Sequence, residues 1–578
     1  MVTLWCYKPV SKEMPDFEKG SGKNGKVHGF WHFRTFRLHL ALVLCCAMLA
    51  NALVRNTLSM AIVCMVNTTA LALADAEHDL ASGVNSSMIK KAMIPKVCDA
   101  TELISSEYDG SLTWSSSEQG LLFSAIYWGG VLSGLPAGWL ANRYSPKFIV
   151  LASFVLLMSG CMLSPLAASI STSIAPMFVI RFIMGVGGQA VLNPAITVII
   201  SRWIPNEGRS TVLALYTAGN QIAMIIGMPL NAYLCQQKEF LGGWPSIFYV
   251  NGFFILIAAA LWYVFVEDKP SKSRWLSEAE RQYIERSLGS ENEKSYASRK
   301  EITGHVPWRQ LLTSMALWSC ILCSIANGVM ATTLGSYIPT YYKEALHFDL
   351  KQNGLLSAVP YLSQWISKIV MAVAADYMKS RSKIGHKGIC KFFNCIGTLA
   401  VAAFLVAAGH ADCTQTEWAV IFLTAANGVF SAQIPGFFTS LLCIAPAYTG
   451  IVNGIARFAG QLAAVVSPYV VGLITVHGTA SEWRLVFYIM AAILVASGIH
   501  FLFFGTAEVQ EWARANSTGH APAELLNGRE LKPMKRAGGN QSMRLVQTYH
   551  LPDLVKATEI GSLLPEPLNE KAAPHSND

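Results

Sequence analysis

Charged residues are scarce in this sequence. Asp, Glu, Lys and Arg together make up 14% of its 578 residues, whereas they make up about a quarter of a typical soluble domain. Acidic residues in particular are absent from the interior of the long apolar stretches. This composition excludes an ordinary soluble protein. The net charge of +8 lies mostly between those stretches and gives no indication of nucleic-acid binding.

Long apolar runs are abundant instead. Each is about 20 residues or more, enough for a helix to cross a hydrocarbon layer of about 30 Å. They lie at 38–66, 119–141, 147–169, 174–203, 209–236, 244–266, 312–340, 353–378, 389–410, 416–442, 447–477 and 482–506. The sequence therefore predicts an all-α polytopic membrane protein with twelve transmembrane helices.

Lys and Arg cluster in alternate connecting segments, which all fall on one side of a membrane that is crossed twelve times. The positive-inside rule then predicts that both termini are cytoplasmic. The predicted parts are a cytoplasmic N-terminus (1–37), an N-terminal six-helix half (38–266), a linker loop (267–308), a C-terminal six-helix half (309–506) and a disordered cytoplasmic tail (507–578). Within the linker, 276–288 predicts a short amphipathic helix.

The chain repeats itself. The stretch 120–142 begins Gly-Leu-Leu and ends Ala-Asn, and 354–376 begins Gly-Leu-Leu and ends Ala-Asp at the same spacing. A second set of residues recurs at one constant offset: Pro229, Trp244, Phe248 and Tyr249 match Pro468, Trp483, Phe487 and Tyr488. Two matches in the same order indicate two parallel six-helix halves, an organisation typical of secondary transporters.

The stretch GWLANRYSPK (138–147) resembles the loop after the second helix in the major facilitator superfamily. Further segments resemble the organic-anion and phosphate transporters that include sialin and the vesicular glutamate transporters: 55–67, 201–210, 243–252, 353–362 and 444–455. The resemblance covers roughly 38–510 and implies the major facilitator fold. It also implies a loop motif that takes part in conformational change: Gly138, Asn142, Arg143 and Asp376.

Several positions depart from these relatives. Gly188 stands where proton-coupled members have an acid in the fourth helix. Phe123 and Leu441 replace two histidines of the glutamate transporters, Cys443 replaces an Asp, and Asn327 replaces an Arg. Proton coupling needs a group that gains and loses a proton in the cavity. We therefore expect coupling to sodium or to the membrane potential alone, with no cofactor and no metal.

Three arginines lie deep in predicted spans: Arg55, Arg181 and Arg457. An arginine at mid-helix costs about 2.5–3.5 kcal/mol on insertion scales. Snorkelling and structural ion pairs are the alternative explanations, but no acid lies well inside any span. The arginines are therefore expected to face a water-filled cavity, where guanidinium groups bind carboxylate or phosphate. The resemblance also places Arg55 and Arg181 near the substrate.

Residues three, four and seven apart share one helix face, so Gly185 and Gly188 lie on the face of Arg181. They either allow close helix packing or leave room for a substrate. Pro194 predicts a kink or hinge in the same helix. Weaker candidates for orienting the substrate are Tyr127, Asn220 and Gln221.

The sequence thus predicts a secondary active transporter of a small organic anion. The alternatives are a sodium-dependent inorganic phosphate cotransporter and a transporter-like receptor or scaffold. No Ser–His, paired-Asp or His–Glu constellation lies at helix depth, so an enzyme is not predicted. The expected partners are the anion or phosphate and membrane lipid, and a monomer is expected.

Two glycosylation sequons, at Asn67 and Asn85, precede the second helix on the predicted non-cytoplasmic side. Cys98 and Cys413 fall on the same side, and either a disulfide between them or two free thiols fits the sequence.

In the tail, Glu559 is followed at the fourth and fifth positions by Leu563 and Leu564. This spacing resembles an acidic dileucine sorting signal, a motif bound by clathrin adaptors. It predicts a vesicle or lysosome membrane, with the plasma membrane as the alternative.

Overall fold

The described part of the chain is almost entirely helical. The computed structural model describes residues 32–33, 35–67, 110–171, 173–188, 192–239, 241–288, 306–381, 384–411 and 414–515. All of them belong to one compact unit, Met1–Gly519. Within these ranges no strand forms, and a single β-bridge joins Val66 to Leu112.

The helices follow the predicted apolar runs closely. We label them α1 Phe36–Met65, α2 Ser116–Arg143, α3 Pro146–Ile170, α4 Ala175–Gly188 and Leu192–Trp203, α5 Asn206–Gln236, α6 Trp244–Phe265, α7 Met315–Glu344, α8 Leu350–Arg381, α9 His386–His410, α10 Thr416–Cys443, α11 Thr449–Ile474 and α12 Ala480–Phe504. Of these described helices, eleven are long and apolar enough to cross a membrane. The other is α2, whose 28 residues give a helix about 42 Å long.

Two acidic residues near the span boundaries cap helices. Ser115 accepts a hydrogen bond from the backbone of Glu118, whose side chain accepts one from the Ser115 backbone (2.8 Å). Thr479 and Glu482 form the same reciprocal pair at the start of α12. A cap of this kind stabilises a helix by about 0.5–2 kcal/mol. These carboxylates therefore serve helix ends rather than the interior of the bundle.

The two halves share one packing pattern. In the first half α1 packs against α5 and α6, α2 against α4, and α3 against α4 and α6. In the second half α7 packs against α11 and α12, α8 against α10, and α9 against α10 and α12. Each contact recurs six helices later, which confirms the predicted internal duplication. The halves meet mainly along two seams, α2 against α11 and α5 against α8, and α1 also packs against α7.

The repeated residues lie in these seams. A Cβ atom on Gly120 would lie 2.6 Å from the carbonyl oxygen of Pro468 in α11. In the other seam, a Cβ atom on Gly354 would overlap Ala232 and would lie 3.5 Å from Cα of Pro229. Glycine is therefore needed at both positions for the backbones to approach. The repeat found in the sequence marks the places where the halves touch.

The bundle is closed at one end, where α1 ends and α2 begins. There Lys343 of α7 donates a hydrogen bond to the carbonyl oxygen of Val63 in α1 (3.0 Å), which joins the halves. At the basic end, where α1 begins, a Cβ atom added to Gly450 or Gly454 of α11 would meet no packing neighbour within 4 Å in the described part of the chain. The gap between the halves therefore opens toward the basic end.

The linker contains the predicted helix, at 278–288. Glu280 accepts hydrogen bonds from the backbone N–H groups of Phe36 (3.1 Å) and Arg37 (3.3 Å), and its carboxylate pairs with the Arg37 side chain at 2.9 Å. The Arg37 guanidinium also lies 4.7 Å from the ring centre of Tyr283. A carboxylate at a helix N-terminus is favourable because of the helix dipole. The linker helix is thus fixed to the start of α1.

Candidate anion site at the middle of the bundle

Arg55 lies at the centre of the first half. Its Nη2 donates to Oδ1 of Asn220 in α5 at 2.8 Å. Its Nε is buried and has no hydrogen-bond partner among the described residues. One end of the guanidinium is therefore held in place while another donor stays unpaired, which is the state expected of a group that awaits an anion.

Tyr216 lies one turn before Asn220 on α5. Its hydroxyl donates to Oδ1 of Asn193 in α4 (2.5 Å). The side chains of Arg55 and Arg457 both lie within electrostatic range of this tyrosine. Arg457 is exposed and shares its helix face with Gly454, so it faces the open gap. Sequence reasoning missed Tyr216, which stands in an apolar run without a distinguishing motif.

Two further tyrosines line the same region. The hydroxyl of Tyr361 in α8 donates to the carbonyl oxygen of Leu334 in α7 at 3.3 Å. Both Tyr127 of α2 and Arg55 lie within electrostatic range of Tyr361. The structure therefore places both Tyr127 and Arg55 in the surroundings of Tyr361, a tyrosine that the sequence did not single out.

Lys368 is a fourth intramembrane cation, which the sequence analysis also missed. It lies in the middle of α8, is half-buried, and donates from Nζ to Oγ1 of Thr217 in α5 at 3.1 Å. The signal was present in the sequence, since this lysine interrupts an apolar run just as the three arginines do. Within the described ranges, none of the four cations has a carboxylate partner within 4.0 Å.

Arg181 lies deeper than expected. Its side chain is 1% exposed, and its Nε and Nη1 have no hydrogen-bond partner in the described part of the protein. Its electrostatic neighbours are Cys161 and Tyr127. The expected opening onto a water-filled cavity is therefore not observed for Arg181 in this conformation. Gln221 is similar, because it is buried and its Oε1 is unpaired among the described residues.

The glycines beside Arg181 pack against neighbouring helices. A Cβ atom on Gly185 would overlap the carbonyl oxygen of Ile126 in α2. On Gly188 it would lie 2.7 Å from Leu157 in α3 and 3.1 Å from Asn51 in α1. Close packing thus explains both glycines, and neither leaves room for a substrate here. Pro194 lies near the start of the second segment of α4.

Three positions that are expected to replace histidine or arginine residues of the relatives carry no titratable side chain. Phe123 is buried at the closed end, where its ring centre lies 4.9 Å from that of Tyr337. Leu441 is buried in the core of the second half, and Asn327 is half-buried in α7. None of these three side chains carries a titratable proton in the physiological range.

The loop motif lies at the basic end. Arg143 and Asp376 are exposed there, while the side chain of Asn142 and the surroundings of Gly138 lie outside what the structure describes. The contacts observed in this loop are made by neighbours that the sequence analysis did not name. Lys147 pairs with Glu267 (2.7 Å), its backbone N–H donates to Asp268 (3.0 Å), and Ser145 also donates to Asp268.

The closed end contains a disulfide between Cys64 and Cys235, which links α1 to α5. The sequence analysis did not identify this pair. Asn67 follows α1, and its N–H donates to Leu112 (2.8 Å). The other predicted features of this side and of the tail lie outside the described residues: Asn85, Cys98, Cys413, Glu559, Leu563 and Leu564.

Comparisons with known proteins agree with this architecture. The profile of the Major Facilitator Superfamily matches residues 40–412. Human sialin is 32% identical over 411 residues, which cover 70% of this chain and 79% of sialin. A Drosophila melanogaster protein named "Putative inorganic phosphate cotransporter" is 30% identical over 498 residues, which cover 85% of this chain and 88% of that protein.

Among solved structures, the inward-open xylose transporter XylE of E. coli superposes with a TM-score of 0.58 at 15% identity. The match covers 83% of this chain and 99% of XylE, and it supports the fold alone. The predicted fold class is thereby confirmed. The chain belongs to the major facilitator superfamily and, within it, to the family that includes sialin and the vesicular glutamate transporters.

Proposed function

We propose that this protein is a secondary active transporter that moves a small organic anion by alternating access of its two halves. The observation that carries the proposal is Arg55, which is held by Asn220 at 2.8 Å while its Nε stays unpaired among the described residues, together with Arg457, an exposed cation of the other half. Within the described ranges no carboxylate neutralises these arginines. A cationic site shared by both halves attracts an anion and can respond to it by closing.

The proposed cycle starts from the observed conformation. The positive-inside rule makes the basic end cytoplasmic, so the anion enters the gap from the cytoplasm. Arg55, held by Asn220, presents a planar fork that fits a carboxylate. Tyr127 orients the anion, and the buried Arg181 attracts it from within the first half. Neutralising the cations lets the basic ends of the two halves approach while the seams at the closed end separate.

Coupling and location complete the proposal. We propose that sodium or the membrane potential drives transport, because the four core cations have no acidic partner in the described part of the bundle. The proposed location is a vesicle or lysosome membrane, where relatives named sialin and vesicular glutamate transporter support it. The plasma membrane is the alternative. We further propose a monomer whose tail signal engages clathrin adaptors.

Sodium-dependent transport of inorganic phosphate is the second candidate function. It is favoured by the name of the Drosophila relative and by the same cations, since guanidinium binds phosphate as well as carboxylate.

The test is uptake by the full chain in liposomes. Labelled glutamate, sialate, urate and phosphate are offered under an inside-positive potential or a sodium gradient. Accumulation of an organic anion that Arg55→Ala abolishes and Arg309→Ala preserves supports the first proposal. Arg309 is a suitable control because it is exposed outside the spans. Sodium-driven uptake of phosphate alone favours the second candidate, and binding without uptake indicates a transporter-like receptor.

A further inference from the structure

One cation of the second half, Lys368, remains unexplained by a site for one carboxylate. It is half-buried in α8 and bonds to α5, the helix that also holds Arg55. A single carboxylate held by Arg55 would leave Lys368 uncompensated. Uncompensated charge in a protein interior is costly because the surroundings are less polar than water.

The geometry separates two cationic positions. Arg55 bonds to Asn220 at 2.8 Å, and Lys368 bonds to Thr217 at 3.1 Å. Thr217 and Asn220 are three residues apart on α5, so their Cβ atoms lie about 5–6 Å apart. The two cations therefore flank a single turn of α5, one reaching it from each half of the protein.

The contact of Lys368 is also easy to exchange. Its partner is a neutral hydroxyl, and Thr217 itself donates to the carbonyl oxygen of Ala214 (3.1 Å). An anionic oxygen would add the attraction between opposite charges, which a neutral hydroxyl cannot offer to the ammonium group. An anion in the gap would therefore replace or supplement Thr217 as the partner of Lys368.

We propose that Lys368 forms a second anion subsite, so that the preferred substrate is a small dianion with two separated negative groups and no ammonium group. One group binds Arg55 and the other binds Lys368. An ammonium group on the substrate would lie beside these cations and weaken binding. This inference rests on the proposed transport function and specifies the class of its substrate.

The experiment measures calorimetric binding to the purified full chain. Glutarate carries two carboxylates, its monoamide glutaramate has the same size and one charge fewer, and glutamate adds an ammonium group. The wild type is expected to bind glutarate at least about tenfold more tightly than glutaramate or glutamate, as loss of one charge-assisted hydrogen bond predicts. Lys368→Gln should bind glutarate and glutaramate equally, and Lys368→Arg should retain the preference.

The control is Lys351→Gln. Lys351 lies on the same helix but is exposed near the closed end, so this variant should behave like the wild type. Should Lys368→Gln fail to fold, Lys368→Met gives the same readout.

Equal binding of glutarate and glutaramate by the wild type would overturn the second subsite, and so would a preference that survives in Lys368→Gln. The proposed function fails separately, when the wild type binds none of the three compounds or when Arg55→Ala leaves glutaramate binding unchanged.

Discussion

The two seams between the halves are related by the internal repeat, yet they differ in what they contact. In the α2–α11 seam, glycine faces backbone on both sides, since Gly120 meets Pro468 and Gly472 meets Ser116. In the α5–α8 seam, Gly354 of α8 packs against Ala232 of α5. Further along this seam, Lys368 donates a hydrogen bond to Thr217, which lies one turn from Asn220 of the anion site. The α2–α11 seam thus holds the halves together by close backbone packing. The α5–α8 seam also holds them together, and it adjoins the anion site.

The largest expected effect comes from the site that adjoins the second seam. Arg55→Ala should abolish uptake, because it removes the guanidinium fork and leaves Asn220 without its partner. Arg55→Lys should also lose at least about tenfold, since an ammonium group cannot make the bidentate contact. Initial uptake rates in liposomes measure both variants, with correct folding checked by size-exclusion chromatography. Near-normal uptake by Arg55→Ala would contradict the assignment.

Removing the disulfide should weaken the attachment of α5 to α1 without changing the α2–α11 seam. The double variant Cys64→Ser, Cys235→Ser should unfold at lower temperature, because a disulfide typically contributes about 2–4 kcal/mol. Cys46→Ser is the matched control, because Cys46 is a free cysteine on the same helix. Thermal unfolding of the purified proteins measures the difference. An unfolding temperature unchanged from that of the wild type would show that the link between α1 and α5 contributes no stability.

The α2–α11 seam can be disturbed by one side chain. Gly472→Val should destabilise the closed end by about 1–3 kcal/mol, as overpacking does, because a Cβ atom there overlaps the Ser116 carbonyl. A Phe123→Cys reporter, buried at that end in the wild type, should then react faster with a membrane-impermeant maleimide. Gly450→Val on the same helix has open space around it and should leave the labelling rate unchanged. Equal rates in the two variants would argue against a gate in this seam.

A pH gradient should have the smallest effect. With the membrane potential clamped, it should not drive uphill uptake, because the cations that adjoin the α5–α8 seam have no acidic neighbour in the described core. Proteoliposomes with separately imposed gradients provide the measurement. If a pH gradient alone does drive uptake, Glu344 becomes the group to test by Glu344→Gln. It ends α7 and accepts a hydrogen bond from Trp483 at 3.1 Å.

The sequence predicted the helices well, because the length of each apolar run is a local property. It predicted the duplication because glycines and prolines recur at a constant offset. Arg55 and Arg457 were found as cations that interrupt apolar runs. It did not reveal Tyr216 or the Cys64–Cys235 pair, since the importance of these residues arises only when distant helices meet. Lys368 is different, because its signal is present in the sequence. It is a cation inside the apolar run 353–378, as the three arginines are cations inside theirs.

The role of the glycines near Arg181 could not be decided in advance. Sequence spacing placed Gly185 on the arginine's face, but whether that face met a ligand or a helix depended on the position of Ile126. Depth along a helix likewise did not reveal that Arg181 is only 1% exposed. Helix periodicity shows which residues share a face of the helix. Whether that face is buried depends on which other helices pack against it.

The unpaired core cations make the proposed carrier responsive to voltage. An elementary charge that crosses a full 100 mV drop changes energy by about 2.3 kcal/mol, so even a small displacement of several charges biases the halves. When the site is empty, a negative cytoplasm would hold the gap open toward the cytoplasm, which is the side proposed for the basic end. When a dianion neutralises part of this charge, the electrical bias weakens. Voltage would therefore act mainly on the step in which the empty carrier returns to its starting conformation. It would also determine the side of the membrane toward which the empty site opens.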